Sequence, residues 1–300
     1  MSWARLQFVQ KRLNLIFVAM SAKKKLLVVT DLDSSLLDDS YSWEEARPAL
    51  HRLKTLGIPL VLNSSKTLSE MKDLAYRLGT FAPMVAENGG LLAVPQESGL
   101  LDQPQTFHRS GNDWIEVTGL SRDFILSRAH ALREAEGYLF DGFADWSTAM
   151  VAEHTGLSSA AASRAQSRHA TEPILWKDTL AQRETFERSL AKDGIRLLRG
   201  GRFLHLMGPA DKASGTVAVK ALYQQALPGV EWVVVALGDS QNDQAMLEVA
   251  DIAVVIPHAD GPHISPQAPR VLTASMPATA GWNESILTII RDELGASALQ

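Results

Sequence analysis

Acidic side chains follow two strongly apolar segments of this sequence, where they are able to bind a metal ion or attack a substrate. Asp31 and Asp33 come directly after a run of apolar residues. Asp239 and Asp243 follow a second such run. Carboxylates are rarely buried unless they are paired or bind a metal, so apolar strands that end in acids indicate a functional site. The alternative is a solvated turn after each strand, since Asp and Ser are ordinary turn residues.

A hydroxyl group and an ammonium group occupy comparable positions. Ser64 follows the apolar residues 58–62, and Lys212 opens a predicted helix before the apolar residues 232–237. Each has a simpler explanation, because a hydroxyl before a helix is often an N-cap and a lysine at a helix start is often solvated. If the strands are parallel neighbours, however, these side chains meet at one edge of a sheet, where open α/β folds bind ligands.

The chemistry open to this set is phosphoryl transfer assisted by a divalent cation. Neighbouring carboxylates repel each other, so a cation must hold them, and oxygen ligands without histidine or cysteine suit Mg²⁺. One carboxylate is able to attack phosphorus and form an aspartyl phosphate. A second acid then protonates the leaving alcohol and later activates water. A lysine neutralises charge on the transferring group.

The elements that must position these groups predict an α/β fold with a doubly wound, mostly parallel sheet. Helical spacing at residues 43–56 and 68–78 separates strand candidates at 26–30, 58–62 and 84–86. Strands and helices that alternate in this way form parallel sheets with right-handed crossovers. The alternation resumes at Lys212. We therefore predict a catalytic core domain interrupted by an inserted α+β cap domain.

The predicted domain boundaries follow from these changes of pattern. The core covers residues 25–91 and 207–300, and the cap covers 92–206, with helices at 120–136 and 158–169. Residues 1–24 are predicted to be an N-terminal extension. Their apolar run is short for a secretory signal and too short to span a bilayer, which takes about 20 residues.

Composition narrows the class of protein. The chain has 300 residues, 46% of them hydrophobic and 21% charged, with a net charge of -5 and no cysteine. These values suit a soluble globular protein and argue against a nucleic-acid-binding surface. The lack of cysteine excludes disulfides and fits a reducing compartment. We predict a cytoplasmic protein whose partner is a small molecule, not a nucleic acid or a membrane; the oligomeric state is unknown.

The order and spacing of these motifs resemble those of the haloacid dehalogenase-type phosphatases. The four matching motifs are at residues 31–35, Ser64, Lys212 and residues 238–243. The insertion resembles the large α+β cap of the subgroup that acts on sugar phosphates. Within that subgroup, residues 62–67 and 86–90 are similar to the mannosyl-3-phosphoglycerate phosphatases. The resemblance covers about residues 26–256, is looser in the cap, and departs from the usual motifs at residues 34–35 and 65–66.

The resemblance implies a role for each catalytic residue. Asp31 would be the nucleophile and a Mg²⁺ ligand, and Asp33 the general acid/base that also binds Mg²⁺ through its backbone carbonyl. Ser64 would hydrogen-bond the transferring phosphoryl group, and Lys212 would neutralise its charge. Asp239 would be the third metal ligand. Asp243 would support the metal site from outside, and the implied substrate contacts are Ser65, Lys66, Glu87, Asn88, Gly89 and Asn242.

The implied reaction is Mg²⁺-dependent hydrolysis of a phosphate monoester, with mannosyl-3-phosphoglycerate giving mannosylglycerate and phosphate. Alternatives are a phosphatase for glucosyl-3-phosphoglycerate or a hexose phosphate, and a phosphomutase. From a different class, a phospho-accepting receiver also places acids, a hydroxyl and a lysine at strand ends, but it is shorter and has no large insertion.

Some polar residues remain without a role. Arg168, His169 and Glu172 precede a strand candidate in the cap, where they would meet a glycerate carboxylate, a sugar hydroxyl or only solvent. His258 and His263 lie in a Pro/Gly-rich loop without a third ligand, so we expect them to take no part in the chemistry.

Overall fold

The computed structural model of the protein describes residues 24–102, 106–200 and 202–299. In chain order, the strands are β1 (Lys24–Thr30), β2 (Leu60–Asn63), β3 (Met84–Ala86), β4 (Leu91–Pro95), β5 (His108–Ser110), β6 (Asp113–Val117), β7 (Phe140–Gly142), β8 (Thr171–Trp176), β9 (Arg196–Gly200), β10 (Phe203–Met207), β11 (Glu231–Gly238), β12 (Ile252–Val255) and β13 (Arg270–Thr273). The helices are α1 (Arg47–Thr55), α2 (Leu68–Leu78), α3 (Arg122–Glu136), α4 (Thr148–Thr155), α5 (Ser159–Gln166), α6 (Leu180–Ala191), α7 (Lys212–Ala226), α8 (Gln244–Glu248) and α9 (Ala278–Leu294).

The larger sheet has nine strands in the order β13-β12-β11-β1-β2-β3-β4-β6-β5. The strands from β13 to β3 are parallel, so their carboxyl ends lie at one edge. β1 lies inside this sheet between β11 and β2 and is paired with β11 from Lys24 to Thr30. The predicted α/β fold with a mostly parallel sheet is confirmed.

Successive residues of β1 point to opposite faces of this sheet, and both faces are buried. Leu26 and Val28 pack with α1, α2 and α9 on one face. Leu27 and Val29 pack with α7 and α8 on the other. The continuous apolar run of β1 is thus explained by helices on both sides, the arrangement typical of parallel strands.

The smaller sheet is the centre of the cap. Its four strands have the order β7-β8-β10-β9 and are antiparallel. Ile174 and Leu206 of this sheet pack against Phe186 of α6 and Ile125 of α3. Part of the other face packs against α4 and α5. The rest of that face lies beside the loop that follows β3.

The predicted start of the cap at residue 92 is wrong. β4 pairs with β3, β6 with β4, and β5 with β6, so these strands extend the large sheet. The cap elements begin only with α3 and end with β10. The strands between residues 91 and 117 are short and interrupted by polar residues, as the strands of the cap are. The residues of a strand do not reveal which sheet it joins, so the sequence did not separate the two groups.

Several other elements differ from the prediction. The cap helices α4 and α6 and the edge strand β13 were not predicted. The predicted N-terminal extension lies outside the described residues except for Lys24, which begins β1. Within the described part of the chain, no helix combines the length and the apolar character needed to cross a membrane.

Candidate active site

The predicted acids meet at the carboxyl edge of the large sheet. Asp31 follows β1 and is 6% exposed, and Asp239 follows the adjacent β11 and is 4% exposed. Carboxylate oxygens of Asp31, Asp239 and Asp243 lie within 4.8 Å of one another. Because β1 and β11 are parallel and paired in register, their ends bring acids together that are far apart in the sequence.

Lys212 lies between two of these carboxylates. Its Nζ is 2.5 Å from Asp31 Oδ1 and 2.6 Å from Asp243 Oδ1, and the side chain is fully buried. The residue is held at the start of α7 by a capping box between Asp211 and Ser214. Burial lowers the pKa of Lys212, but the carboxylates of Asp243 and Asp31 raise it above the ordinary value, so the amine stays charged.

One ammonium group does not balance three buried carboxylates. Burial and the neighbouring Asp243 raise the pKa of Asp31, with Lys212 opposing them. Burial and Asp243 also raise the pKa of Asp239. A divalent cation would reduce this imbalance, and buried carboxylate oxygens gathered within 4.8 Å of one another are ligands of the type that Mg²⁺ takes. The donor set therefore fits a hard cation bound by Asp31 and Asp239.

Asp33 lies at the more open side of the site. Its side chain is 48% exposed, and its Oδ2 forms an ion pair of 2.9 Å with Lys66. Lys66 in turn lies over the ring of Tyr41, 4.9 Å from its centroid. Within the described chain, Oδ1 of Asp33 has no hydrogen-bond partner. Asp33 is thus held by one carboxylate oxygen, while its other oxygen makes no hydrogen bond to a described residue.

Ser64 is not an N-cap. It directly follows β2 and is fully buried, and its Oγ accepts a hydrogen bond of 3.3 Å from the backbone N–H of Lys66. The N-cap of α2 is Thr67, which forms a capping box with Glu70. The local helix-capping explanation for Ser64 is therefore excluded, and its neighbour Ser65 is half-buried in the same loop.

Asp243 organises the loop after β11. Its Oδ2 accepts hydrogen bonds from the backbone N–H groups of Asp239 and Ser240, both at 3.1 Å, and its Oδ1 contacts Lys212. It stands at the N-cap position of α8 but makes no capping hydrogen bond there. A Cβ at Gly238 would lie 2.5 Å from the Asp243 Cβ, so this approach requires glycine.

Three of the predicted substrate contacts lie where the loop after β3 meets the other loops of the candidate site. Asn88 Oδ1 accepts a hydrogen bond of 3.2 Å from Asn242 Nδ2, and the Asn88 N–H donates to Ser64 O at 2.9 Å. Gly89 has φ +91°, and a Cβ there would lie 1.9 Å from Asp211 O, next to Lys212. The loop after β3 thus packs closely against the segments that contain Ser64, Lys212 and Asn242.

Glu87 does not lie open to substrate, contrary to its prediction as a substrate contact. It is fully buried, and its carboxylate accepts hydrogen bonds from His169 N at 2.7 Å, Ala170 N at 3.1 Å and Thr171 Oγ1 at 2.6 Å. These residues belong to the cap. Glu87 therefore joins core and cap, a role hidden in the sequence because its partners are more than 80 positions away.

Comparisons with known proteins identify the family of this chain. The haloacid dehalogenase-like hydrolase family matches residues 28–109. The glucosyl-3-phosphoglycerate/mannosyl-3-phosphoglycerate phosphatase of Persephonella marina is 33% identical over 275 residues, which cover 89% of this chain and 98% of that protein.

The chain belongs to the haloacid dehalogenase-like hydrolases. It is a phosphatase, and the receiver alternative is set aside.

Solved structures show the same fold for this haloacid dehalogenase-like phosphatase. A Thermoplasma acidophilum protein is 16% identical with a TM-score of 0.60, covering 90% of this chain and 98% of its own. A phosphatase of the haloalkanoate superfamily from Bacteroides thetaiotaomicron is 15% identical with a TM-score of 0.60, covering 89% of this chain and 96% of its own.

The sequence did not predict that His258 contacts Asp239 in this haloacid dehalogenase-like phosphatase. Its Nε2 is 2.9 Å from Asp239 Oδ2, at an angle unsuited to a hydrogen bond, so the contact is electrostatic. Its ring stacks on His263 with centroids 4.0 Å apart, and His263 pairs with Asp260. The expectation that His258 takes no part in the chemistry stays a prediction, but the residue is not isolated, because its ring contacts Asp239. The available signal was its position just after β12, at the same sheet edge as Asp239.

Ser35 is the second side chain that supports Asp239. Its Oγ donates a hydrogen bond of 3.1 Å to Asp239 Oδ1. Ser35 belongs to the first of the matching motifs, but its hydrogen-bond partner lies 204 residues further along the chain. Ser35 therefore hydrogen-bonds one carboxylate oxygen of Asp239, and His258 lies against the other.

Glu87→Gln is expected to destabilise the protein by about 3 kcal/mol at pH 7, as an upper value. Burial alone would raise the pKa of Glu87, but contacts with His169, Arg168 and Thr171 lower it from 4.5 to about 2. At pH values above the pKa of Glu87 in the unfolded chain, the lowered pKa in the folded state stabilises the fold. This contribution is lost as the pH falls towards 2. The difference between wild type and variant should therefore be smaller at pH 3.5 than at pH 7.

Urea unfolding at both pH values measures this difference. Glu184→Gln, a substitution of an exposed residue on α6, is the matched control and should change stability little. Equal destabilisation at the two pH values would show that the charge of Glu87 does not matter.

Proposed function

We propose that this phosphatase hydrolyses a glycosyl-3-phosphoglycerate in a Mg²⁺-dependent reaction, with mannosyl-3-phosphoglycerate as the first candidate substrate. The products would be mannosylglycerate and phosphate. The observation that carries the proposal is the position of Lys212 between Asp31 and Asp243, with Asp239 beside them. The named activity of the Persephonella marina relative supports the substrate class.

The proposed metal site consists of the Asp31 and Asp239 carboxylates and the backbone carbonyl of Asp33. Bound Mg²⁺ would neutralise charge on the phosphate oxygens. Ser35 and His258 hold Asp239, and Asp243 holds the loop that carries it. The backbone N–H groups at Asp239 and Ser240 keep Asp243 in place.

In the proposed mechanism, a carboxylate oxygen of Asp31 attacks phosphorus while the bond between phosphorus and the leaving-group oxygen breaks. Asp33 donates a proton to that oxygen, and the alcohol departs. Asp31 now carries the phosphoryl group as an aspartyl phosphate. Asp33, now a carboxylate, takes a proton from water, which attacks phosphorus and releases phosphate and Asp31. Ser64 donates a hydrogen bond to the transferring group, and Lys212 balances its charge.

The surroundings of this site define further parts of the proposal. The cap would close over a small phosphorylated sugar or glycerate and exclude bulk water during transfer. We place Ser65, Lys66, Asn88, Gly89 and Asn242 at the cleft between core and cap. The lack of cysteine and the net charge of -5 support a cytoplasmic enzyme that acts on a small molecule.

Phosphate release from a panel of esters, with Mg²⁺ and with chelator, tests the proposal. The panel contains mannosyl- and glucosyl-3-phosphoglycerate, hexose phosphates and p-nitrophenyl phosphate. We expect metal-dependent release with a preference for the glycosyl-3-phosphoglycerates. A clear preference for an unrelated ester would overturn the substrate, and transfer of labelled phosphate to an added sugar would indicate a mutase.

His258→Ala is expected to weaken Mg²⁺ binding about tenfold, because removing a residue that orients a metal ligand typically costs 10- to 100-fold in affinity. Titration calorimetry of the metal-free protein measures the dissociation constant without catalysis. His51→Ala, on the exposed face of α1, is the control. Unchanged affinity in His258→Ala would mean that Ser35 alone positions Asp239.

A further inference from the structure

A group of polar cap side chains beside Glu87 has no part in the proposed chemistry. Leu204 and Leu206 of β10 point into the cap core with α3 and α6. His205 between them therefore points to the opposite face of the cap sheet. On that face it lies near Glu87 and Arg168, whose charges act on it.

His205 lacks hydrogen-bond partners in the described part of the chain. Its Nδ1 is buried and unpaired, and no hydrogen bond joins its Nε2 to another described residue. The buried Nδ1 of His169 is also unpaired, at 3.7 Å from Glu87 Oε1. Buried polar atoms normally have partners, so two such nitrogens around the same carboxylate, Glu87, indicate a group that is completed by a ligand.

Arg168 is held at the edge of the same group. Its Nε donates to Ala165 O at 3.0 Å, and its Nη1 donates to Thr171 Oγ1 at 2.7 Å. The guanidinium carbon lies 5.9 Å from the centroid of the Phe143 ring. No other described residue receives a hydrogen bond from its Nη2, which leaves a donor on a fixed side chain.

The charges of this region are already balanced. Arg168 faces the ionised Glu87, and Arg122 is paired with Glu172 at 2.7 Å. Burial and Arg168 lower the pKa of His205 to about 3, so its imidazole is neutral and has one donor and one acceptor nitrogen. Such a site offers no excess positive charge to a second anion. Its unused groups suit hydroxyls, which both donate and accept hydrogen bonds.

The group is also connected to the catalytic loops. Glu87, which binds the cap segment from His169 to Thr171, is followed directly by Asn88, which contacts Asn242 and Ser64. A substrate with phosphate at the core site would therefore extend its other end towards this face of the cap.

We propose that His205, with Arg168 and His169, binds hydroxyl groups of the sugar part of the substrate. This inference rests on the proposed function, because it assumes that the leaving group carries a sugar. It assigns the sugar to the cap face and leaves phosphate recognition to the core.

The test compares sugar-containing and sugar-free substrates in His205→Ala and in the more conservative His205→Gln. We expect kcat/KM for mannosyl-3-phosphoglycerate to fall about ten- to a hundredfold in His205→Ala, and less in His205→Gln. Hydrolysis of p-nitrophenyl phosphate, which has no sugar, should change less than about twofold. His108→Ala, on the exposed edge strand β5, is the control, and thermal melting checks that each variant is folded.

A second measurement reports binding without chemistry. Mannosylglycerate contains the sugar but no phosphate, and its inhibition constant should rise in His205→Ala by a similar factor. An equal loss with both substrates, or no loss with either, would overturn the inference.

Failure of the proposed function is seen separately, in the wild-type enzyme. If the wild-type enzyme prefers a different sugar phosphate, the loss of kcat/KM in His205→Ala is measured with that ester and compared with the loss for p-nitrophenyl phosphate. The inference about His205 is then decided by this comparison. If the wild-type enzyme prefers no sugar phosphate at all, the assignment of this face to a sugar is overturned as well.

Discussion

Asp31→Asn should abolish metal-dependent phosphate release, with a loss of about four orders of magnitude or more. The amide nearly preserves the shape of the side chain but is a poor nucleophile and cannot form the aspartyl phosphate. Lys212 keeps its second partner, Asp243, at 2.6 Å, so the site should not collapse. The measurement is phosphate release from the preferred ester at saturating Mg²⁺.

The same substitution should not lower the melting temperature of the metal-free protein. Burial and Asp243 raise the pKa of Asp31, which means that its charge is unfavourable in this site. Asp123→Asn, in the first turn of α3 and outside the site, is the control for activity. Turnover of Asp31→Asn comparable to wild type would remove Asp31 as the nucleophile.

Lys212→Ala is expected to destabilise the fold by about 3–5 kcal/mol at pH 7, the usual cost of leaving buried charges without their partner. Asp31 and Asp243 both lose the ammonium group that touches them. Catalysis should be lost as well, because charge on the transferring group is no longer balanced. Urea unfolding of metal-free protein measures the stability.

The pH dependence of this variant has a definite sign. Without Lys212, the clustered acids bind protons more tightly in the folded than in the unfolded state. Stability therefore falls as the pH rises, and the difference from wild type should be smaller at pH 5 than at pH 7.

Lys220→Ala, on the same helix, is the matched control. Its lysine forms one partly exposed ion pair of 3.0 Å with Asp251, so the expected cost is about 1 kcal/mol or less. Equal effects of Lys212→Ala and Lys220→Ala would show that Lys212 does not balance buried charge.

The sequence was sufficient to predict the central part of the site because its signals are local. Asp31 and Asp239 each end a run of apolar residues, and parallel strands must place such ends together. Lys212 is recognised by its position at a helix start before β11. Each prediction needs only one element and one general rule of α/β sheets.

The parts that the sequence did not predict depend on distant partners. Glu87 looks like a substrate contact until the cap places His169 and Thr171 against it. His258 gains its meaning only when β12 lies beside β11. The wrong cap boundary has a similar cause, because β4 and β6 contain nothing that assigns them to the larger sheet.

Two short loops of the core are fastened to one continuous segment of the cap, from the end of α5 to the start of β8. Glu87 binds one part of it, and the Thr67 hydroxyl donates to Arg164 O at 2.9 Å in another. Glu87 adjoins Asn88, and Thr67 lies three residues from Ser64. A movement of the cap away from the core would therefore break these hydrogen bonds or displace the loops next to Ser64 and Asn88, so under the proposed mechanism opening of the cap would also loosen the binding of the phosphoryl group.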